Sequence, residues 1–380
     1  MPISFQNYGL LSSSLAALGR WGINVPTPIQ QQTIPLLMES RDVIGQACTG
    51  SGKTLAFALP LLEFVDPRDP WIQALVLTPT RELAAQVAGV IDDVGRADGV
   101  NTVTVYGGRA MGPQIAEVKR AHVVVGTPGR VLDLLRRGAL KLDRVAFAVL
   151  DEADQMMDRG FGPDVDRIMA FVTDDPVTAL FSATMPTWVE RAARKHLVRP
   201  TLVRVDDPRD VPDISHVVYE IPEDRRLTAL RGLLDRRGPG STIVFGKTKH
   251  GVRKLARQLS QLGYPVGCLQ GNLSQNARDR VMESFRRGEV EILVATNVAA
   301  RGLDVDHVEL VINYQPPDSS ELLTHRVGRT GRVGRSGAAC TLVSPTDASK
   351  WKEIERDLGR RFERVRWPAT VRPRAVSAMG

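Results

Sequence analysis

Eight residues, Ala47-Cys48-Thr49-Gly50-Ser51-Gly52-Lys53-Thr54, have the composition of a loop built to hold phosphate. Its glycines let backbone N–H groups turn inward, its lysine reaches terminal phosphates, and its threonine hydroxyl can ligate Mg²⁺. Further along, an apolar run at 146–150 ends in Asp151-Glu152-Ala153-Asp154. A strand ending in two acids can give one carboxylate, Asp151, to a metal. The other, Glu152, can orient an attacking water and accept its proton. The two features together predict a site that binds and hydrolyses a nucleoside triphosphate. Ala47, Thr49, Gly50, Ser51, Gly52, Lys53 and Thr54 are expected around the phosphates, and Thr54 and Asp151 on Mg²⁺.

Such groups must be positioned by regular elements. Short apolar runs occur at 43–44, 74–77, 102–105, 123–125, 146–150 and 179–181, separated by longer segments of helical spacing such as 55–64 and 83–94. This alternation predicts βαβ units and a parallel sheet. A charged stretch with two prolines, 206–213, interrupts it and reads as a linker. The alternation resumes at 217–219, 243–245, 266–269, 292–294, 310–312 and 339–343. Two α/β domains are expected, at 1–206 and 214–368, joined by a linker at 207–213 and followed by a short basic tail at 369–380. Nearly every polar or glycine-containing signature begins where an apolar run stops, the place where open parallel sheets bind ligands.

The charge is unevenly spread. Residues 1–213 carry 22 basic and 25 acidic side chains, net −3, and residues 214–380 carry 28 and 18, net +10. The asymmetry points to a polyanionic partner met mainly by the second half. No apolar run approaches the roughly 20 residues of a membrane span. The N-terminal Met1-Pro2-Ile3-Ser4-Phe5 lacks the features of a secretory signal. Three cysteines, Cys48, Cys268 and Cys340, have no metal-ligand spacing. A cytoplasmic protein without membrane attachment, acting as a monomer, is expected.

The ordered set Pro26-Thr27-Pro28-Ile29-Gln30, the phosphate loop, Pro79-Thr80-Arg81-Glu82-Leu83, Thr127-Pro128-Gly129-Arg130, Asp151-Glu152-Ala153-Asp154, Ser182-Ala183-Thr184, Ala299-Ala300-Arg301-Gly302-Leu303-Asp304 and His325-Arg326-Val327-Gly328-Arg329-Thr330-Gly331-Arg332 resembles the DEAD-box RNA helicases. The likeness runs through nearly the whole chain. It implies two tandem RecA-like domains, each a mostly parallel sheet flanked by helices, that close on ATP and single-stranded RNA.

The resemblance also implies roles. Gln30, whose amide donates and accepts at once, would read adenine, with Phe5 packed on the base. Asp304 would contact the nucleotide ribose, and Gly302 would also bind the nucleotide. Arg329 and Arg332 would reach the γ-phosphate from the second domain, and His325 would join the nearby water network. Lys53 and Glu152 complete the catalytic set. Asp154, Ser182, Thr184 and Gln275 would couple hydrolysis to RNA. Pro79, Thr80, Arg81, Gly107, Gly108, Thr127, Gly129, Arg130, Gly271, Arg278 and Thr296 would hold RNA through phosphate and sugar contacts that carry no sequence information.

Three positions depart from the family pattern. Asn272 and Asn297 stand where aspartates are common, and Gln315 where an acid is frequent. Trp351, Ile354 and Leu358 fall at helical spacing, predicting a last helix, beyond which Arg360, Arg361, Arg364, Arg366, Arg372 and Arg374 make a basic strip. The expected activity is ATP-dependent, local and non-processive separation of short RNA duplexes. An ATP-gated RNA clamp and a DNA translocase are the alternatives.

Overall fold

The computed structural model describes residues 4–48, 50–205, 214–297, 308–331 and 337–367, and all their side chains except that of Gln275. Thr49, the expected linker, Gly302, Asp304, Arg332 and the tail at 369–380 therefore lie outside the described residues. The chain forms two units, Met1–Asp210 and Val211–Gly380.

In the first unit, strands β1 (Val43–Gln46), β2 (Ala74–Leu77), β3 (Thr102–Val105), β4 (Val123–Gly126), β5 (Phe147–Leu150), β6 (Val177–Ser182) and β7 (Thr201–Arg204) form one sheet. Its order is β3-β4-β2-β5-β6-β1-β7, and every pairing is parallel. Because side chains alternate across a strand, Ala74 and Val76 enter one core while Leu75 and Leu77 enter another on the opposite face. Helices cover both faces: α1 (Ser12–Arg20), α2 (Pro28–Met38), α3 (Lys53–Glu63), α4 (Arg81–Gly95), α5 (Met111–Val118), α6 (Pro128–Arg136), α7 (Ala153–Asp158), α8 (Gly162–Met169) and α9 (Thr187–His196). This is why the strands read as unbroken apolar runs rather than as alternation.

The second unit repeats the plan. Strands β8 (Ile214–Glu220), β9 (Ser241–Gly246), β10 (Val266–Leu269), β11 (Ile292–Thr296), β12 (Val308–Asn313), β13 (Gly337–Val343) and β14 (Glu363–Arg366) form a parallel sheet of order β10-β11-β9-β12-β13-β8-β14. Ile292 and Val294 face one core, Leu293 and Ala295 the other. Its helices are α10 (Arg226–Leu234), α11 (Lys249–Gln261), α12 (Gln275–Arg286), α13 (Ser320–Val327) and α14 (Ala348–Asp357). Two parallel sheets flanked by helices are the architecture the sequence predicts.

Two edge strands, β7 and β14, were not among the apolar runs. β7 and β14 each pair on one side only, and residues Thr201-Leu202-Val203-Arg204 and Glu363-Arg364-Val365-Arg366 have too little apolar content to stand out. The second of these revises the reading of the basic strip. Arg364 pairs with Glu220 and Glu355, and Arg366 approaches Glu220 at 3.8 Å, so both serve the sheet edge. The expected last helix is α14. Trp351 and Ile354 are buried on it, whereas Leu358 lies past its end and is exposed.

Candidate nucleotide and nucleic-acid sites

Sheet order sorts signatures that sequence order scatters. The phosphate loop follows β1, Asp151-Glu152-Ala153-Asp154 follows β5, and Ser182-Ala183-Thr184 follows β6, and these are the three neighbours β5-β6-β1. The segments beginning at Thr78, Tyr106 and Thr127 follow β2, β3 and β4, the three neighbours β3-β4-β2. The carboxyl edge of one sheet is thus divided into two sectors, one carrying the expected nucleotide groups and the other the expected RNA groups.

In the first sector the loop is tight. Gly50 and Gly52 both have φ 89°, a left-handed conformation suited to glycine. A Cβ on Gly52 would meet Gln30 Nε2 at 2.5 Å. That closeness is used: Gln30 Nε2 donates to Gly52 O at 3.0 Å while its Oε1 accepts from Thr27 N at 2.9 Å. The amide expected to read adenine is therefore also a strut under the phosphate loop, retaining one donor hydrogen and one acceptor lone pair. Lys53, 7% exposed, donates to Ala47 O at 2.9 Å. Ser51 Oγ donates to Cys48 O at 2.8 Å, and Thr54 lies half-buried in the first turn of α3. Phe5 lies near the start of the chain. It is 3% exposed, belongs to the core, and stands edge-on to Tyr8, so its ring is already enclosed.

The acidic pair is buried, and Glu152 is strained. Asp151 is 3% exposed, and burial, aided by the adjacent Glu152 carboxylate, pushes its carboxyl up to about 7 against the opposing pull of Lys53. Its Oδ1 accepts from Glu152 N at 3.0 Å. Glu152 is 5% exposed, takes a left-handed backbone (φ 50°, ψ 51°), and caps α7. Its Oε2 is buried with no hydrogen-bond partner. A non-glycine residue in that conformation costs about 1–3 kcal/mol, and a buried orphan acceptor costs a similar amount. Spending both on one residue marks a site rather than a scaffold. An unmet buried carboxylate oxygen beside a phosphate loop fits the water that Glu152 is expected to orient. Among the described residues no group of three or more His, Cys, Asp or Glu is placed to hold a metal. Mg²⁺ is usually held by one or two carboxylates plus substrate phosphates.

Asp154, Ser182 and Thr184 are brought together as expected. Asp154 Oδ2 accepts from Ala183 N at 3.2 Å, Thr184 N at 2.9 Å and Thr184 Oγ1 at 2.9 Å. Asp154 N donates to Ser182 Oγ, which donates to Thr184 O.

In the second sector, Thr80 caps α4 by accepting from Leu83 N, beside the buried Pro79. Arg81 opens that helix and lies against the glycine pair: a Cβ on Gly108 (φ 86°) would fall 2.2 Å from Arg81 Nη1, and one on Gly107 would fall 3.6 Å from Nη2. Thr127 N donates to Val105 O, and Gly129 lies in the first turn of α6. Arg130 Nη1 donates to Arg109 O, tying the loop after β3 to α6. The buried Gln114 tightens the same loop, accepting from Tyr106 N and donating to Arg109 O and Ala110 O. No sequence signal singled out Gln114, which belongs to no signature.

The second unit gathers Gly271 after β10, Thr296 at the end of β11, and Lys247-Thr248-Lys249 after β9, on the neighbours β10-β11-β9. The lysines were not predicted, although they too follow an apolar run. Lys249 Nζ donates to Asn272 Oδ1 at 3.0 Å and packs beside Gly271. Arg278 lies half-buried on α12, which packs against β10. His325 and Arg329 lie at the end of α13 and just beyond it, with Arg329 Nε donating to His325 O at 3.2 Å. Between them Arg326 is 2% exposed.

The comparisons with known proteins agree with this geometry. The DEAD/DEAH box helicase family model matches residues 27–192, and the helicase conserved C-terminal domain matches residues 225–334. The DEAD-box ATP-dependent RNA helicase CshA of Geobacillus kaustophilus is 43% identical over 96% of this chain and 79% of its own length. The Bacillus subtilis protein of the same name is 41% identical over 97% of this chain and 75% of its own. Among solved structures, S. cerevisiae Dbp5 bound to RNA and ADP BeF3 superposes with a TM-score of 0.88 at 33% identity, covering 96% of this chain and 95% of that one. By sequence, by fold and by the order of its signatures, this chain belongs to the DEAD-box ATP-dependent RNA helicases.

Proposed function

We propose that this helicase uses RNA-stimulated ATP hydrolysis for local, non-processive strand separation of short RNA duplexes or for remodelling RNA–protein assemblies. Glu152 carries the reading: a buried, strained acid with an unmet oxygen, next to the phosphate loop, is suited to orient water and accept its proton. Lys53 and the loop amides hold the triphosphate, with Gln30 at the base. Thr54 and Asp151 hold Mg²⁺, which when bound neutralises charge developing on the phosphates.

Arg329 and His325 are assigned to the γ-phosphate side of the reaction, so hydrolysis depends on the second unit. RNA is assigned to the β3-β4-β2 sector of the first unit and the β10-β11-β9 sector of the second. Asp154, bonded to Ala183 and Thr184, is the assigned link between the acidic pair and the adjacent strand. ATP and RNA then bind cooperatively, each favouring the state that binds the other. Holding one strand in a form that excludes its complement offsets a few base-pair steps, each worth about 1–2 kcal/mol by analogy with DNA stacking.

Two assays test this proposal: ATP turnover with RNA, all-DNA or no strand, and displacement of a strand from a short RNA duplex. The proposal expects stimulation by RNA, weak stimulation by DNA, and ATP-dependent displacement. ATP-dependent RNA retention without displacement would favour a clamp instead, and equal stimulation by DNA a translocase.

A further inference from the structure

Helix α11 buries Val252, Leu255, Ala256 and Leu259 and exposes Lys249, His250, Arg253, Lys254 and Arg257 on its opposite face. Residues 247–261 contain no acid. Among the described residues Arg253, Lys254 and Arg257 form no ion pair. Several arginines in the last turn of other helices or just past it have an acid one turn earlier. Arg96, Arg137, Arg194 and Arg287 each pair with an acid four residues earlier. On α11 the corresponding spacings hold like charges, Lys249 with Arg253 and Arg253 with Arg257, which destabilise an isolated helix. At its amino end Lys249 meets the neutral Asn272 Oδ1, at a position where the family commonly has an aspartate. That departure leaves one more positive charge unneutralised.

The placement of this face gives it a direction. α11 starts at the carboxyl end of β9, in the sector shared with Gly271 and Thr296, and packs back along β9, β10 and β11. At 1.5 Å per residue, Lys249 to Arg257 spans about 12 Å. Phosphates along one strand of a nucleic-acid helix advance roughly 3.4 Å each, so the track matches three or four of them.

We infer that the outer face of α11 is a second RNA-binding surface, holding backbone phosphates of RNA that continues past the segment gripped at the β10-β11-β9 edge. The inference rests on the RNA reading of the preceding section. Polyanion binding relieves the repulsion along the helix, and charge complementarity selects RNA as its occupant.

The test uses the full chain with Arg253, Lys254 and Arg257 changed together to Gln. RNA-stimulated ATPase is measured with an oligonucleotide of about 10 residues, within the footprint of a single groove, and with one of about 30. The variant should match wild type on the short strand and melt no earlier. On the long strand its affinity should fall about tenfold and the slope of log K against log salt should shrink by about 2, at roughly 0.7 per lost phosphate contact. Arg253→Lys with Arg257→Lys should keep most of the affinity. Unchanged affinity and salt slope on the long strand, or equal losses on both strands, would overturn the inference. A wild-type enzyme stimulated by neither strand would overturn the RNA reading itself.

Discussion

Arg326 Nε donates to Asn297 Oδ1 at 2.6 Å, so a buried guanidinium finds a neutral amide where the family commonly has an aspartate. Its other partners are also uncharged: Nη1 donates to Asn313 Oδ1 and Gln315 O, both at 2.9 Å, and the group lies 5.2 Å from the Phe245 ring centre. Burial pushes Arg326 down to about 9, still protonated at neutral pH. Asn297→Asp would supply a charge-assisted bond, roughly twice as strong as a neutral one. It should stabilise the chain by about 1–2 kcal/mol by that measure. In an Arg326→Met background the same change leaves a half-buried carboxylate without its partner, which is destabilising. Denaturant unfolding of the four proteins in this cycle should show the effect changing sign. An equal effect in both backgrounds would separate the two residues energetically.

Glu152 links strain to chemistry. Glu152→Gln should lower ATP turnover by about 10²–10⁴ while leaving nucleotide affinity near wild type. Glu152→Gly should abolish turnover yet stabilise the fold. Relief of the left-handed backbone gives about 1–3 kcal/mol, outweighing the 0.5–1 kcal/mol entropy penalty of glycine. Removing the orphan Oε2 adds to the gain. A Glu152→Gly protein less stable than wild type would contradict this account of the residue.

The bonds around Asp154 predict a separation of activities. Ser182→Ala with Thr184→Ala deletes two hydroxyls but keeps both backbone donors to Asp154. Three hydrogen bonds are lost, so stability should fall by about 3 kcal/mol, at about 1 kcal/mol per bond. RNA-stimulated ATPase should persist, while strand displacement falls at least fivefold, the lower end of typical coupling energies. Parallel loss of both activities would make these residues part of the hydrolytic site instead.

A pH effect should arise far from the chemistry. His216 is buried against Trp351 and Phe362 and bonds to Thr341 Oγ1 at 2.9 Å. Burial lowers its pKa from 6.5 to about 4. The unfolded chain therefore binds more protons than the folded one between these values. Stability is retained above about 6.5 and lost as pH falls toward 4, by on the order of 3 kcal/mol in total. His216→Leu should flatten this component of a stability–pH profile, and an unaltered acid slope would rule His216 out as its source.

Much of the site was readable before any geometry because phosphate chemistry demands particular residues at fixed spacing. The positional rule that signatures follow apolar runs placed those residues on one sheet edge. What spacing could not express was the lateral order of strands. The β3-β4-β2 and β5-β6-β1 sectors emerge only once the chain crosses over. Residues acting through backbone carbonyls, such as Gln114 and Gln30 on Gly52, leave no local pattern either. Nor do the edge strands β7 and β14, where one unpaired side permits polar composition. Arg326 was visible as a letter of a signature, but its burial among neutral acceptors follows from packing.

The claim on which the rest turns is that the hydrolytic site of the first unit depends on Arg329 of the second and on RNA. Steady-state ATP turnover of wild type and Arg329→Lys, each with and without saturating RNA, addresses it directly, with a thermal melt of each to confirm folding. RNA should accelerate the wild type strongly, whereas Arg329→Lys should lose about 10³-fold or more of that RNA-dependent rate with nucleotide affinity unchanged. Comparable turnover with and without RNA, or an Arg329→Lys enzyme as fast as wild type, would contradict it.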